Sequence, residues 1–137
     1  MNRTDLQKLA RTRLREAKAL KKAGQYSGAY YLAGYAVECA LKACIAKSVQ
    51  KHDFPEKNKV VKSYSHNLRE LLGLAELDSA LKAEMATNSR LAGNWSFLLN
   101  WSERSRYEIR TRSEANDILN AISKRTDGVL PWITQRW

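Results

Sequence analysis

The sequence is short of three residue types, with two cysteines, two histidines and two prolines. Cys39 and Cys44 lie five positions apart, so on one helix they point to different sides. They can neither pair in a disulfide nor hold a metal together. We expect both to be small buried core residues, and we expect neither a metal site nor a cofactor.

Long apolar runs are also missing. No run is long enough to span a membrane, and the start, MNRTDLQKLAR, lacks the apolar segment of a secretory signal. We therefore expect a cytoplasmic protein without a membrane partner. Alternating strand patterns and internal repeats are absent too, which favours an all-α fold.

The stretch 26–47, YSGAYYLAGYAVECALKACIAK, is apolar on nearly every side and rich in small residues. A helix of this kind is normally buried, so we expect it at the centre of a helical bundle. Tyr31, Tyr35, Glu38 and Lys42 share one face of it. A carboxylate on a buried helix has to be paired or to face a polar cleft.

We expect an arginine to pair with Glu38, because a guanidinium matches a carboxylate with two parallel donors. Arg104 or Arg106 of the segment WSERSRY is the first candidate, and Arg13 of the first helix is the second. Two interpretations stay open: a polar pocket that binds phosphate, or a cluster that only locks the late segment to the core. The candidate residues are Glu38, Lys42, Arg104, Arg106 and Tyr107.

Helical periodicity and capping residues predict one domain over 1–137, an up-and-down bundle of four to five helices with a short C-terminal helical turn. The predicted helices are 5–23 capped by Thr4, 26–49, one from Ser65 or His66, one capped by Asp78 or Ser79 and interrupted at 93–94, and one capped by Ser113. The turn lies within 129–137, and the segments 50–65 and 101–113 are predicted to be loops.

The net charge of +10 favours partners with phosphates or acidic surfaces. Five cations form a narrow stripe on the first predicted helix, either a solvated face or a ridge that contacts phosphates. They are Lys8, Arg11, Arg15, Lys18 and Lys22.

Several segments in order resemble the HEPN domain family: GQYSGAYYLA, AGYAVECALKA, HNLREL, WSERSRY and DGVLPWI. The resemblance covers nearly the whole chain. It implies an up-and-down α bundle, usually a homodimer, in bacterial or archaeal cytoplasm. Members are often encoded with small nucleotidyltransferases, or belong to toxin–antitoxin and phage-defence systems.

The best-known activity of the family that this chain resembles is metal-independent RNA cleavage. Its motif is an arginine, four to six residues and a histidine. Here no histidine follows Arg104, Arg106, Arg110 or Arg112, and arginine cannot move a proton near neutral pH.

We therefore expect a non-catalytic subunit that binds nucleotides, nucleic acid or a protein partner. The alternative is a ribonuclease that recruits His66, which would then lie in a basic groove near an arginine. A capping or packing residue is the simpler role for His66.

The chain has four tryptophans, two of them in the segment WSFLLNW. This is more aromatic surface than one small bundle readily buries, and large apolar patches rarely stay exposed. We therefore expect a homodimer. A nucleotidyltransferase or an antitoxin is the expected protein partner, and RNA or a nucleotide the expected ligand.

Overall fold

A computed structural model describes residues 1–49 and 54–137. Within these ranges the chain forms eight α-helices and no strand, which confirms the all-α prediction. The helices are α1 (Arg3–Lys22), α2 (Tyr26–Ser48), α3 (Lys57–Lys62), α4 (Leu68–Leu74), α5 (Asp78–Thr87), α6 (Ser89–Leu98), α7 (Arg112–Ser123) and α8 (Val129–Thr134). A 3-10 turn at Glu103–Tyr107 joins α6 to α7. None of the helices in the described ranges combines the length and the apolar character of a membrane span.

The first two helices form a hairpin. Asn2 and Asp5 make a capping box in which each side chain accepts from the backbone N–H of the other, so α1 begins at Arg3 and not behind Thr4 as predicted. Gly24, at φ +78°, adopts the left-handed conformation that ends α1 and lets α2 begin at Tyr26. Ala10 and Ala17 are fully buried on α1, and their small side chains allow close approach to α2.

Helix α2 is the centre of the fold, as predicted. It contacts α1, α4, α7, α8 and the 3-10 turn, so most of its residues from Ala29 to Ile45 are buried. Gly34 is the closest approach: a Cβ there would lie 2.2 Å from Cε2 of Trp101. The indole lies on the glycine, and its Nε1 donates to the carbonyl of Tyr31 at 3.2 Å.

Several predicted boundaries are wrong because a side chain caps the backbone elsewhere. Asn88 accepts from the N–H of Leu91, so the chain breaks there, and residues 93–94 lie inside α6. Thr111 caps α7 in a box with Glu114, two residues before the predicted cap Ser113.

The remaining differences concern α3, α4 and the turn. Helix α3 and the 3-10 turn occupy segments predicted to be loops. Helix α4 begins at Leu68, because Asn67 accepts from the N–H of Glu70. Part of the predicted loop 50–65, residues 50–53, lies outside the described residues.

All four tryptophans are buried within one chain, with exposures of 4–9%. The argument that a partner is needed to cover them is therefore wrong, and the homodimer stays a prediction. Apart from Met1, the large apolar side chains that remain exposed in the described ranges lie in two other places. They are Phe54, Val60, Val61 and Tyr64 around α3, and Tyr107 and Ile109 before α7.

Candidate functional site

Glu38 is 2% exposed in the middle of α2, and this burial confirms the prediction. Its Oε1 accepts from Nζ of Lys42 at 2.9 Å and lies 2.8 Å from Nδ1 of His66, at the start of α4. Oε2 is buried and has no hydrogen-bond partner in the described part of the chain. The expected arginine partner is wrong: a lysine and a histidine hold the carboxylate.

The 3-10 turn explains why neither arginine reaches Glu38. It points Ser105 inward, where that residue is 1% exposed, and leaves Arg104 and Arg106 exposed on either side. The guanidinium of Arg106 lies over the ring of the exposed Tyr107, 5.0 Å from its centroid. The structure therefore brings Glu38 and Lys42 together but leaves these three residues in solvent.

Arg13 does not pair with Glu38 either. It forms an ion pair with Glu16 on α1, and this hydrogen bond raises the pKa of Arg13. Arg13 is therefore a half-buried residue whose long side chain pairs locally.

A different arginine holds the late segment to the core. Arg110 lies 4.2 Å from the ring centroid of Tyr30 on α2 and donates to Glu114 at 2.8 Å. Its backbone N–H donates to Oγ of Ser27 at 2.9 Å. The hydrogen bond to Glu114 raises the pKa of Arg110 and lowers that of the carboxyl. Arg110 was not among the arginines expected to pair with Glu38, and its acidic partner Glu114 belongs to α7.

His66 lies at the edge of a cavity of about 300 Å³ between the start of α4 and the end of α6. Its side chain is 46% exposed, and its Nε2 lies 3.4 Å from Oε2 of Glu103. The imidazole thus stands between two carboxylates, one buried and one half-exposed. None of the described residues that line this cavity is an arginine, so it is not the basic groove that the ribonuclease alternative predicts.

A second concave surface lies where the end of α1 meets α7, which we call the basic cleft. It has a volume of about 770 Å³, and its charged lining residues are Lys18, Lys21, Lys22 and Arg112. Among the residues that the structure describes, no acidic side chain lines it, and Tyr26, Asn120 and Ser123 add an aromatic ring and neutral polar groups. Lys18 and Lys22 of the predicted basic face therefore lie in a real depression.

The other three cations of that face lie nearer the start of α1. Lys8, Arg11 and Arg15 are all exposed, and Arg11 lies 4.9 Å from the centroid of a Trp137 ring. Sequence analysis missed Lys21 and Arg112 of the cleft. Arg112 belongs to the cleft only because α7 packs against the end of α1, and no local pattern signals this.

The two cysteines are buried and free, as predicted. Burial raises the pKa of Cys39 to about 12 and that of Cys44 to about 11. Neither thiol is therefore a nucleophile near neutral pH. Among the described residues no group of three histidine, cysteine or acidic side chains is arranged to hold a metal.

The model of the HEPN domain family matches residues 4–127. The match covers nearly the whole chain, so the protein belongs to the HEPN domain family, a nucleotide-binding and RNase-type family. No curated protein and no solved structure matches the sequence.

Proposed function

We propose that the protein is a non-catalytic nucleotide- or nucleic-acid-binding subunit whose ligand phosphates bind in the basic cleft. The observation that carries this proposal is the segregation of charge there: in the described part of the chain, four cations line one depression without a carboxylate. Cations gathered in a concave surface repel one another and raise the local potential, which favours a polyanion.

The chemistry of the lining suits phosphate. Arg112 offers a planar fork that matches two phosphate oxygens, and the lysines act as point charges around it. Tyr26 supplies an aromatic ring of the type on which bases stack. The cations of α1 outside the cleft, together with the net charge of +10, would attract a ligand longer than one nucleotide.

A binding assay at several salt concentrations tests the proposal. We expect single-stranded RNA or a nucleoside triphosphate to bind, and Lys18→Glu to weaken this binding. Removing one phosphate contact lowers the slope of log affinity against log salt by about 0.7–0.9. Lys82→Glu is the matched control, since Lys82 is exposed on α5 outside the cleft and the charge change is the same. Equal losses in both variants would mean that only net charge matters.

In the cell, we propose that this subunit acts as a cytoplasmic homodimer together with an acidic nucleotidyltransferase or antitoxin, in a toxin–antitoxin or phage-defence type system. Tyr107 and Ile109, 79% and 95% exposed, supply apolar surface for a second copy. The basic charge of the chain would steer an acidic partner. Sedimentation at micromolar concentration tests the dimer, and a monomer there would count against it.

One observation favours a second candidate function, a metal-independent ribonuclease that uses His66. A carboxylate on one ring nitrogen orients an imidazole and leaves the other nitrogen to move a proton. Glu38 occupies this position at Nδ1 of His66, and Nε2 faces a half-exposed carboxylate beside a cavity.

An RNA cleavage assay separates the two candidates. A metal-independent activity that disappears in His66→Ala and persists in Lys82→Glu would establish the ribonuclease. RNA binding without cleavage in the wild-type protein would leave the binding subunit as the function.

A further inference from the structure

A second cleft lies beside the basic cleft on the neighbouring side of α7. It has a volume of about 410 Å³ and lies between α7 and α6. Asn120, an exposed residue of α7, lines both clefts, so the two depressions lie on either side of it. We call the second depression the α6–α7 cleft. A ligand in the basic cleft that passes Asn120 would enter it.

The lining of the α6–α7 cleft differs in kind from that of the basic cleft. It combines carboxylates, amides and cations with Phe97 and Ala121, two residues that supply apolar contact. Lining of this kind, apolar surface with a few placed polar groups, is typical of small-molecule sites. It suits a flat heteroaromatic ring with polar edges better than it suits a phosphate.

Some polar groups of this cleft are already engaged. Nδ2 of Asn94 donates to the backbone carbonyl of Asp127 at 2.8 Å. The carboxylate of Asp127 lies 3.7 Å from a guanidinium nitrogen of Arg90. These contacts fix one wall of the cleft.

Asp117 on α7 stands apart from this wall. It is exposed, and within the described part of the chain its side chain has neither a hydrogen bond nor an ion pair. Lys124, the residue directly after α7, lines the same cleft. The cleft thus offers an unengaged carboxylate together with a cation.

We infer that the α6–α7 cleft binds a guanine base whose phosphates lie in the basic cleft. A carboxylate has two acceptor oxygens and no donor. On its Watson–Crick edge guanine presents two neighbouring donors, N1–H and the N2 amino group. Adenine and cytosine place an acceptor beside their amino group, and uracil places acceptors on both sides of N3–H. A carboxylate therefore prefers guanine, and Lys124 can donate to its O6 or N7.

This inference rests on the proposed function and specifies its ligand. The phosphates give affinity without selecting a base, whereas the base edge gives selectivity. The two roles are assigned to different residues, so they can be removed separately.

Isothermal titration with GTP, ATP and inorganic tripolyphosphate tests the inference. We expect GTP to bind about tenfold more tightly than ATP, since one two-donor pair to a base edge gives discrimination of about this size. In Asp117→Asn this preference should disappear, while tripolyphosphate binding should stay the same. The amide offers one donor and one acceptor, which match O2 and N1–H of xanthine, so XTP should gain affinity in this variant.

The possible failures are distinguishable. If neither these three ligands nor single-stranded RNA binds, the proposed function is wrong and the inference falls with it. If all three bind equally, or if Asp117→Asn keeps the preference for GTP, the proposed function stands and the guanine site is wrong. Circular dichroism should show an unchanged fold, since Asp117 is exposed.

The guanine could belong to a free nucleotide or to single-stranded RNA. A uridine oligonucleotide with one central guanosine, compared with the all-uridine oligonucleotide and with GTP, distinguishes these sources. Tighter binding of the guanosine oligonucleotide than of GTP assigns the site to RNA, and the reverse order assigns it to the free nucleotide. Equal binding of the two oligonucleotides together with equal binding of GTP and ATP overturns the inference.

Discussion

The cluster around Glu38 and the basic cleft both gather charged side chains, but they differ in how those charges are matched. In the cluster, Lys42 and His66 contact the carboxylate of Glu38, and Glu103 contacts the far side of the imidazole. In the cleft, the cations lie together, and no acid is found among the described lining residues. Charges that neutralise one another stabilise the fold, whereas unmatched charges on a concave surface can bind an external ligand of opposite charge. Burial alone would have pointed to the cluster as the site.

The largest expected effect comes from breaking the cluster. Glu38→Ala should lower the free energy of unfolding by about 3 kcal/mol, since removing one partner of a buried pair typically costs about 3–5 kcal/mol. We expect the low end because Lys42 and His66 are 21% and 46% exposed and can return to water. Urea denaturation measures this. At temperatures where the variant is folded, RNA binding should be unchanged, and a loss would place Glu38 in the binding site.

Disrupting the basic cleft should have the opposite effect: ligand binding weakens and the free energy of unfolding changes little. Arg112→Glu should weaken binding of a phosphate ligand by about 1–3 kcal/mol, the usual cost of losing a charged contact. The free energy of unfolding should change by no more than about 0.5 kcal/mol, because Arg112 is exposed. Titration and denaturation of the same preparation check both halves. Strong destabilisation by Arg112→Glu would mean that the cleft, like the cluster, is part of the fold.

An intermediate effect is expected at His66, the half-exposed histidine of the cluster. His66→Gln should lower the free energy of unfolding by about 1 kcal/mol, because Glu38 keeps Lys42 while losing one hydrogen bond. Glu103→Gln is the control, since its contact with Nε2 lies at 3.4 Å between half-exposed groups and should contribute less. A larger effect of Glu103→Gln would reverse this ranking of the two carboxylates.

The smallest effect is expected at the partly buried ion pair of Arg110 and Glu114, whose contribution to stability depends on pH. The pKa of Glu114 is lower in the folded state because Arg110 donates to it. The stability from this pair is therefore present above the unfolded pKa of 4.5 and is lost as pH falls through the lower folded value. Thermal melts of Glu114→Gln should lose a small part of this acid dependence. An unchanged pH profile would show that the pair does not contribute.

Local patterns predicted the central helix and the burial of Glu38, because the apolar residues on all sides of α2 and its small residues lie within one short stretch of sequence. They did not predict that His66, 28 positions away, would be a partner of Glu38 beside Lys42. That contact depends on how α4 packs on α2 and on which way the 3-10 turn points Ser105. The capping box at Thr111 and Glu114 was visible in the sequence and was overlooked in favour of Ser113.

The same limit applies to the basic cleft. The stripe on α1 includes Lys18 and Lys22 because helical spacing is local. Arg112 and Asn120 complete the cleft from α7, some ninety residues further along the chain. The concave shape arises from tertiary packing, so sequence analysis could name the charged face without distinguishing a solvated surface from a pocket.

The packing of Trp101 against Gly34 couples two positions that lie far apart in the sequence. With a Cβ only 2.2 Å from the indole, any side chain at position 34 requires a smaller ring or an aliphatic residue at position 101. Change at these two sites is therefore constrained to occur jointly, in a permitted order. A smaller residue has to replace Trp101 before a larger one can replace Gly34, because the reverse order passes through an intermediate with a steric clash in the core. In a double-mutant cycle the two substitutions should be strongly non-additive, and related chains that keep this backbone should covary at these positions.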